Sequence, residues 1–239
     1  GTPMAGEQKK WEIRCKGRAP YEVLGSRWLS YGDILQLKLV EEMVEVYYNS
    51  GQFQKTLEAA ENWFRDPFSM YRRLGAWYEE QGYLGISHSR IRRYEILAEF
   101  FQQEFPEAGS LLRECMIYDL YARENLKARP AWAGEQSLPR ESVRRFYEKE
   151  AEAPEFLKDC GSRDWRQLKS MTHLEEFLEK IPGFPKGRKW LLFDYQTRNA
   201  LDGSASVADV TAQIGTEGPE KRRTAGLKKG EEQERMEKR

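Results

Sequence analysis

The sequence predicts a mainly α-helical fold: an antiparallel helical array, then a small C-terminal antiparallel strand pair and a disordered tail. Three observations carry that expectation. Between residues 30 and 126, apolar side chains recur at three- and four-residue spacing in five stretches joined by short turn-rich connections. Two later stretches, 171–177 and 189–195, are short, apolar and bounded by turn residues, as strands are. From about Gly215 the chain is Gly, Lys, Arg and Glu with almost no apolar residue, so it cannot offset its ordering entropy by burial. No fixed repeat period marks a classified solenoid.

Taken in order, Trp11-Glu12-Ile13-Arg14-Cys15 alternates as a short strand would, and Gly17 and Pro20 break it. Ser30 with Asp33 resembles a capping box and opens the first helix. Ile34, Leu37, Val40, Val44 and Tyr47 form one stripe of that helix, and Leu35, Leu39, Met43 and Val46 form a second beside it. Two adjacent stripes predict a helix buried over most of its surface, ended by Asn49-Ser50-Gly51. A second helix is expected from about Phe53 to Phe64. Asp66-Pro67 gives an N-cap and a first-turn proline for a third, which stops near Gly82. Ser87 or Ser89 caps a fourth that Pro106 ends, and a fifth runs from about Glu107 to Leu126. After a loop rich in Pro, Ala and Gly at 127–140, a charged helix is expected from Arg140 to about Ala151, with another short piece between Pro154 and Gly161. The 171–177 stretch also fits a helix through Leu174, Phe177 and Leu178; a strand pair across the turn-rich 181–187 is the more economical reading.

Composition narrows the function classes. Seven Trp, twelve Tyr and eleven Phe supply a large aromatic core. The 39 basic and 39 acidic residues balance, which disfavours nucleic acid as a partner. No apolar run approaches the roughly 20 residues that span a bilayer, so no membrane partner is expected. Cys15, Cys115 and Cys160 are odd in number and widely spaced, which fits idle thiols in a reducing compartment, and the cytoplasm is the expected location.

Motifs that carry chemistry are sparse. There is no glycine-rich phosphate loop and no Gly-x-Ser-x-Gly elbow. The two histidines, His88 and His173, have no neighbours at zinc-ligand spacing. His88 reads as part of a solvated capping segment. His173, beside Glu175, reads as a half-buried structural histidine, with acid–base work as the sharper alternative. The adjacent pairs Glu41-Glu42, Glu79-Glu80 and Glu175-Glu176 read as solvated faces. Basic residues interleave with aromatics at Tyr71-Arg72-Arg73, Arg90–Tyr94 and Arg144–Tyr147, without an accompanying recognition motif. Asp194 and Arg198 are expected to pair with each other at the end of a strand. No catalytic, cofactor-binding or metal-binding residue is assigned.

Three stretches together carry a resemblance. They are Pro20-Tyr21-Glu22-Val23-Leu24 through Trp28-Leu29-Ser30-Tyr31, then Val44–Phe53, and finally Leu192-Phe193-Asp194-Tyr195 with Arg198. Over roughly residues 1 to 200 the chain resembles the uncharacterised C-terminal domain of bacterial radical S-adenosylmethionine (radical SAM) proteins that also carry an N-terminal cobalamin (B12)-binding domain. The resemblance implies an accessory domain whose parent enzyme holds a 4Fe-4S iron–sulfur cluster and S-adenosyl-L-methionine; it leaves cobalamin binding open. It also gives the opening Gly1-Thr2-Pro3-Met4 a meaning, because a Gly-Thr-Pro turn follows the last barrel strands in many such enzymes. A cloning scar ahead of a start at Met4 is the competing reading. The departures are as informative. The three-cysteine Cys-x-x-x-Cys-x-x-Cys loop and the Asp-x-His-x-x-Gly cobalamin signature are both absent from this sequence.

These readings give an expected organisation: 1–30 as exit from an upstream barrel and linker, 31–129 as a helical domain, 130–200 as a C-terminal α+β subregion packed on it, and 215–239 as a charged disordered tail. The expected function is that of an accessory domain, not catalytic by itself, whose partners are the upstream radical SAM barrel of the same polypeptide and an unknown substrate. A free-standing cytosolic helical interaction module is the alternative. A third reading, a small hydrolase or transferase, requires a pocket at His173.

Overall fold

A computed structural model describes residues 6–136, 138–161 and 163–214. The opening 1–4 and the tail from 215 lie outside the described residues. The chain divides into two compact units, Gly1–Leu120 and Tyr121–Arg239.

In the first unit β1 (Arg14–Cys15) pairs antiparallel with β2 (Val23–Gly25), a shorter strand than the alternation from Trp11 predicts. α1 (Tyr31–Met43) starts at the expected box: the Ser30 hydroxyl accepts from Asp33 N, and the Asp33 carboxylate accepts from Ser30 N at 2.8 Å. It continues into a π-helical turn, Val44–Asn49, that buries Tyr47 completely. α2 (Gln54–Ala60) and a 3-10 turn (Glu61–Trp63) follow. α3 (Pro67–Glu80) is capped by Asp66, whose carboxylate accepts from Ser69 N at 2.7 Å. Ser89, not Ser87, caps α4 (Arg90–Glu104), and α5 (Gly109–Arg123) completes the five expected helices. The core is aromatic: Tyr47, Phe53, Tyr78, Tyr94 and Phe100 are buried, the Tyr47 and Tyr78 hydroxyls meet at 2.7 Å, and the Tyr94 hydroxyl donates to Gln52 O at 2.8 Å.

One expectation fails in this unit. In α1 only Val40 and Met43 are buried, while Leu35 and Leu37 are exposed. α1 meets α3 closely near its C-terminal end. A Cβ added to Gly75 would stand 3.1 Å from Leu39 Cβ and 3.4 Å from the Leu39 carbonyl. Gly75→Val should therefore cost about 1–3 kcal/mol in urea denaturation through overpacking, and Gly75→Ala less.

The second unit carries α6 (Arg140–Glu152), α7 (Trp165–Met171), β3 (Thr172–Phe177), β4 (Lys189–Arg198), β5 (Ala205–Asp209) and α8 (Thr211–Ile214). The expected strand pair is a three-stranded antiparallel sheet in the order β3-β4-β5. Leu174 lies opposite Leu192, His173 opposite Phe193, and Leu192 opposite Ala208. Phe146, Tyr147, Leu157 and Leu168 pack with Leu174, Trp190 and Leu192, while Tyr121 and Phe177 lie against His173 and Phe193. β4 is thus covered on both faces. That explains why Trp190-Leu191-Leu192-Phe193 is an unbroken apolar run rather than an alternating one.

Candidate functional site

Both ends of the loop after α5, the first two turns of α6, the end of α7 and the start of β3 line a cleft of about 580 Å³ in the second unit. Its lining includes Lys127, Arg140 and Lys169, with no carboxylate among the described lining residues. Its floor is Tyr147, Thr172 and Leu174, with Leu138 and Val143 alongside. The loop is tied down at the cleft itself: Asn125 Nδ2 donates to Ser170 O at 3.0 Å, and Gln136 Nε2 donates to Leu174 O at 2.7 Å.

His173 lies at the edge of this cleft. β3 places it two residues before Glu175, on the same face of the strand. Its Nε2 donates to Glu175 Oε2 at 2.9 Å, and its ring stacks on Tyr121 with centroids 3.5 Å apart. Glu175 is 2 % exposed and also accepts from the Arg129 guanidinium at 2.6 Å. This arrangement assigns the N–H to Nε2 and leaves Nδ1 as an acceptor without a partner among the described residues. The pocket that the hydrolase reading requires is present, but the hydroxyls beside it point elsewhere. Ser170 Oγ donates to Gln167 O and Thr172 Oγ1 to Leu168 O, both at 2.8 Å. A nucleophile needs its hydroxyl held by the base, so the geometry fits ligand binding better than covalent catalysis.

The other sequence candidates resolve into structural roles. His88 is half-buried in an exposed capping segment: its ring lies edge-on to Tyr78 and Tyr83, and its Nε2 is 3.0 Å from Tyr83 O, beside the Ser89 cap. Glu175-Glu176 is not a solvated face. Adjacent strand residues point to opposite sides, and each acid has its own cation, Arg129 for Glu175 and Arg188 for Glu176 at 2.6 Å. Asp194 and Arg198 do not pair with each other. Asp194 accepts from Gln196 N, whereas Arg198 donates to Gly203 O at 2.7 Å and lies over the Tyr195 ring. The basic–aromatic runs are neutralised locally, Arg73 by Glu80 and Glu104, Arg92 by Glu95 and Glu99, and Arg144 by Glu148.

An iron–sulfur cluster does not fit these residues. It needs three thiolates together. Here Cys15 is in β1, Cys115 is buried in α5 and Cys160 is buried in a 3-10 turn. Burial pushes the Cys115 thiol up, away from the thiolate. Among the described residues no group of three or more His, Cys, Asp or Glu is placed to hold a metal ion.

Fold and cleft together define a mainly helical protein whose second unit presents a cationic pocket built on a small antiparallel sheet. The chain belongs to a family described as a protein of unknown function (DUF4080), whose match covers residues 9–193. No curated protein and no solved structure matches it. No helix among the described residues is long and apolar enough to cross a membrane.

Proposed function

We propose that this chain is the C-terminal accessory domain of a cobalamin-binding-type radical SAM enzyme of the cytoplasm, and that the upstream barrel of the same polypeptide covers its β2–α1 face. The observation that carries this reading is the exposure of that face. Trp28 is 67 % exposed and Tyr31 56 %, with Tyr21, Leu29 and Leu35 exposed as well. Leu24, Leu29 and Tyr31 line a groove of about 550 Å³ there. A helix with apolar residues on most of its circumference is normally covered, and contiguous exposed apolar surface marks an interaction site. Residues 20–31 are also one of the three stretches that carry the resemblance. The parent supplies the 4Fe-4S cluster and S-adenosylmethionine; the proposal leaves cobalamin binding open. The residues of this chain shape and cover, and none is routed into the radical step.

The test has two parts. The coding sequence upstream should contain a Cys-x-x-x-Cys-x-x-Cys loop, and the anaerobically purified longer polypeptide should contain iron and sulfide. In that polypeptide, amide exchange over residues 28–39 should slow at least about tenfold relative to this chain alone, because covering α1 suppresses its local opening. An upstream frame without the cysteine loop overturns the proposal. The same face then becomes the docking surface of a free-standing interaction module.

A further inference from the structure

The cleft of the second unit is lined by three cations and by no carboxylate among the described lining residues. Acidic and basic residues are equal in number over the whole chain. Where arginines cluster elsewhere, glutamates answer them, as at Arg73, Arg92, Arg144 and Arg145. Lys127, Arg140 and Lys169 break that pattern. They come from three separate elements, they line one concavity, and none has an ion-pair partner among the described residues. Like charges brought together without a counterion repel, so their convergence calls for an anion from outside. Glu175, on the same strand as the lining residues Thr172 and Leu174, is turned to Arg129 and His173 and is not part of the lining.

We infer that this cleft binds a small phosphorylated molecule, its phosphate held between Lys127, Arg140 and Lys169 and its remainder seated over Tyr147 and Leu138. The volume, about 580 Å³, is in the range of sites for molecules of nucleotide size. Two ammonium groups and a guanidinium suit a phosphate's several oxygens, which accept from both point charges and a planar fork. The apolar floor accommodates an uncharged body. This inference is independent of the parent enzyme and concerns the chain as it stands.

The experiment is calorimetric titration of the whole 239-residue chain with pyrophosphate, ADP, citrate and a single-stranded RNA dodecamer, at low salt and at about 150 mM salt. ADP or pyrophosphate should bind at one site per chain, tighter than citrate, and weaken as salt rises. Lys127→Gln, Arg140→Gln and Lys169→Gln should each weaken that binding by about fivefold or more, whereas Lys180→Gln, a matched loss of charge outside the lining, should change it less than about twofold. All four side chains are exposed, so the variants should keep the parent circular dichroism and melting curve. The proposal is overturned by no binding of either phosphate compound, by citrate binding tighter than both, or by RNA binding that survives the three cleft substitutions. Loss of affinity in Lys180→Gln equal to that of the cleft variants also overturns it, because the interaction is then diffuse.

Discussion

Replacing Asp119 with alanine should destabilise the first unit by about 3–5 kcal/mol, measured by urea denaturation. Asp119 is an acid in the interior of α5, 5 % exposed, and its partners are 63 and 64 residues away in sequence. Its carboxylate accepts from Lys55 N at 3.0 Å, Thr56 N at 2.8 Å and the Thr56 hydroxyl at 2.6 Å. Those N–H groups belong to the first turn of α2, whose own N-cap position is Phe53 and offers no side-chain acceptor. Asp119 therefore caps α2 from another helix. Alanine would leave three donors unpaired, two of them buried, and each buried one costs about 1–3 kcal/mol, less whatever an entering water recovers. Asp119→Asn keeps one acceptor oxygen and should recover part of the loss. The pH dependence has a definite sign. Burial pushes the Asp119 carboxyl up to about 7, against the pull of Thr56 and Lys55 towards the charged form. The folded state then holds a proton that the unfolded chain has released above the ordinary carboxylate range. Stability should be full below that range and should fall, with a slope approaching one proton, as pH rises to about 7. Asp119→Asn should remove this slope. A slope that persists unchanged in that variant would mean that another group carries it.

Asp119 also shows what can be read from the sequence and what cannot. The five helices from α1 to α5, and α6 after them, follow from apolar spacing and caps, because those signals are local: Ser30 with Asp33, Asp66 with Pro67, and Ser89 all act within one turn. Asp119 sits between Tyr118 and Leu120 in a helical stripe, and nothing local says that α2 needs it. β5 escapes for a related reason. Ala205-Ser206-Val207-Ala208-Asp209 has one β-branched residue, and its pairing with β4 comes from the hairpin closed by Asn199, whose N–H donates to Ser204 O at 2.8 Å. α7 is hidden by its length of seven residues. α1 is the reverse case: its two stripes predict burial over most of its surface, yet Leu35 and Leu37 meet nothing among the described residues that covers them. For the cleft, only the His173–Glu175 spacing is visible in the sequence. Lys127, Arg140 and Lys169 each look like an ordinary solvated charge until the loop, α6 and α7 bring them around one space.

Arg129→Ala should be among the most damaging substitutions in the second unit, about 3–5 kcal/mol in the same assay, because it leaves a buried carboxylate without its main counterion. The Arg129 guanidinium donates to Glu175 Oε2 at 2.6 Å, to Gly134 O at 2.7 Å and to Ala133 O at 3.1 Å. One side chain thus joins the loop after α5 to the middle of β3 and supplies the charge that Glu175, 2 % exposed, requires. Arg129→Lys keeps a charge but loses the planar fork that reaches three acceptors, so it should fall between wild type and alanine. The double replacement Arg129→Met with Glu175→Gln removes both charges, and should be less damaging than Arg129→Ala alone, since the cost lies in the orphaned carboxylate more than in the pair. If the double variant is as unstable as the two single changes added together, the two residues are not coupled and the reasoning fails. The consequence extends to the cleft. Glu175 orients His173, and the same loop carries Lys127 and Gln136 to its rim. Arg129→Lys should therefore weaken phosphate binding severalfold under conditions where the variant remains fully folded, although Arg129 does not line the cleft. An effect on affinity without contact, in step with the loss of stability, is what a residue that positions the site would produce.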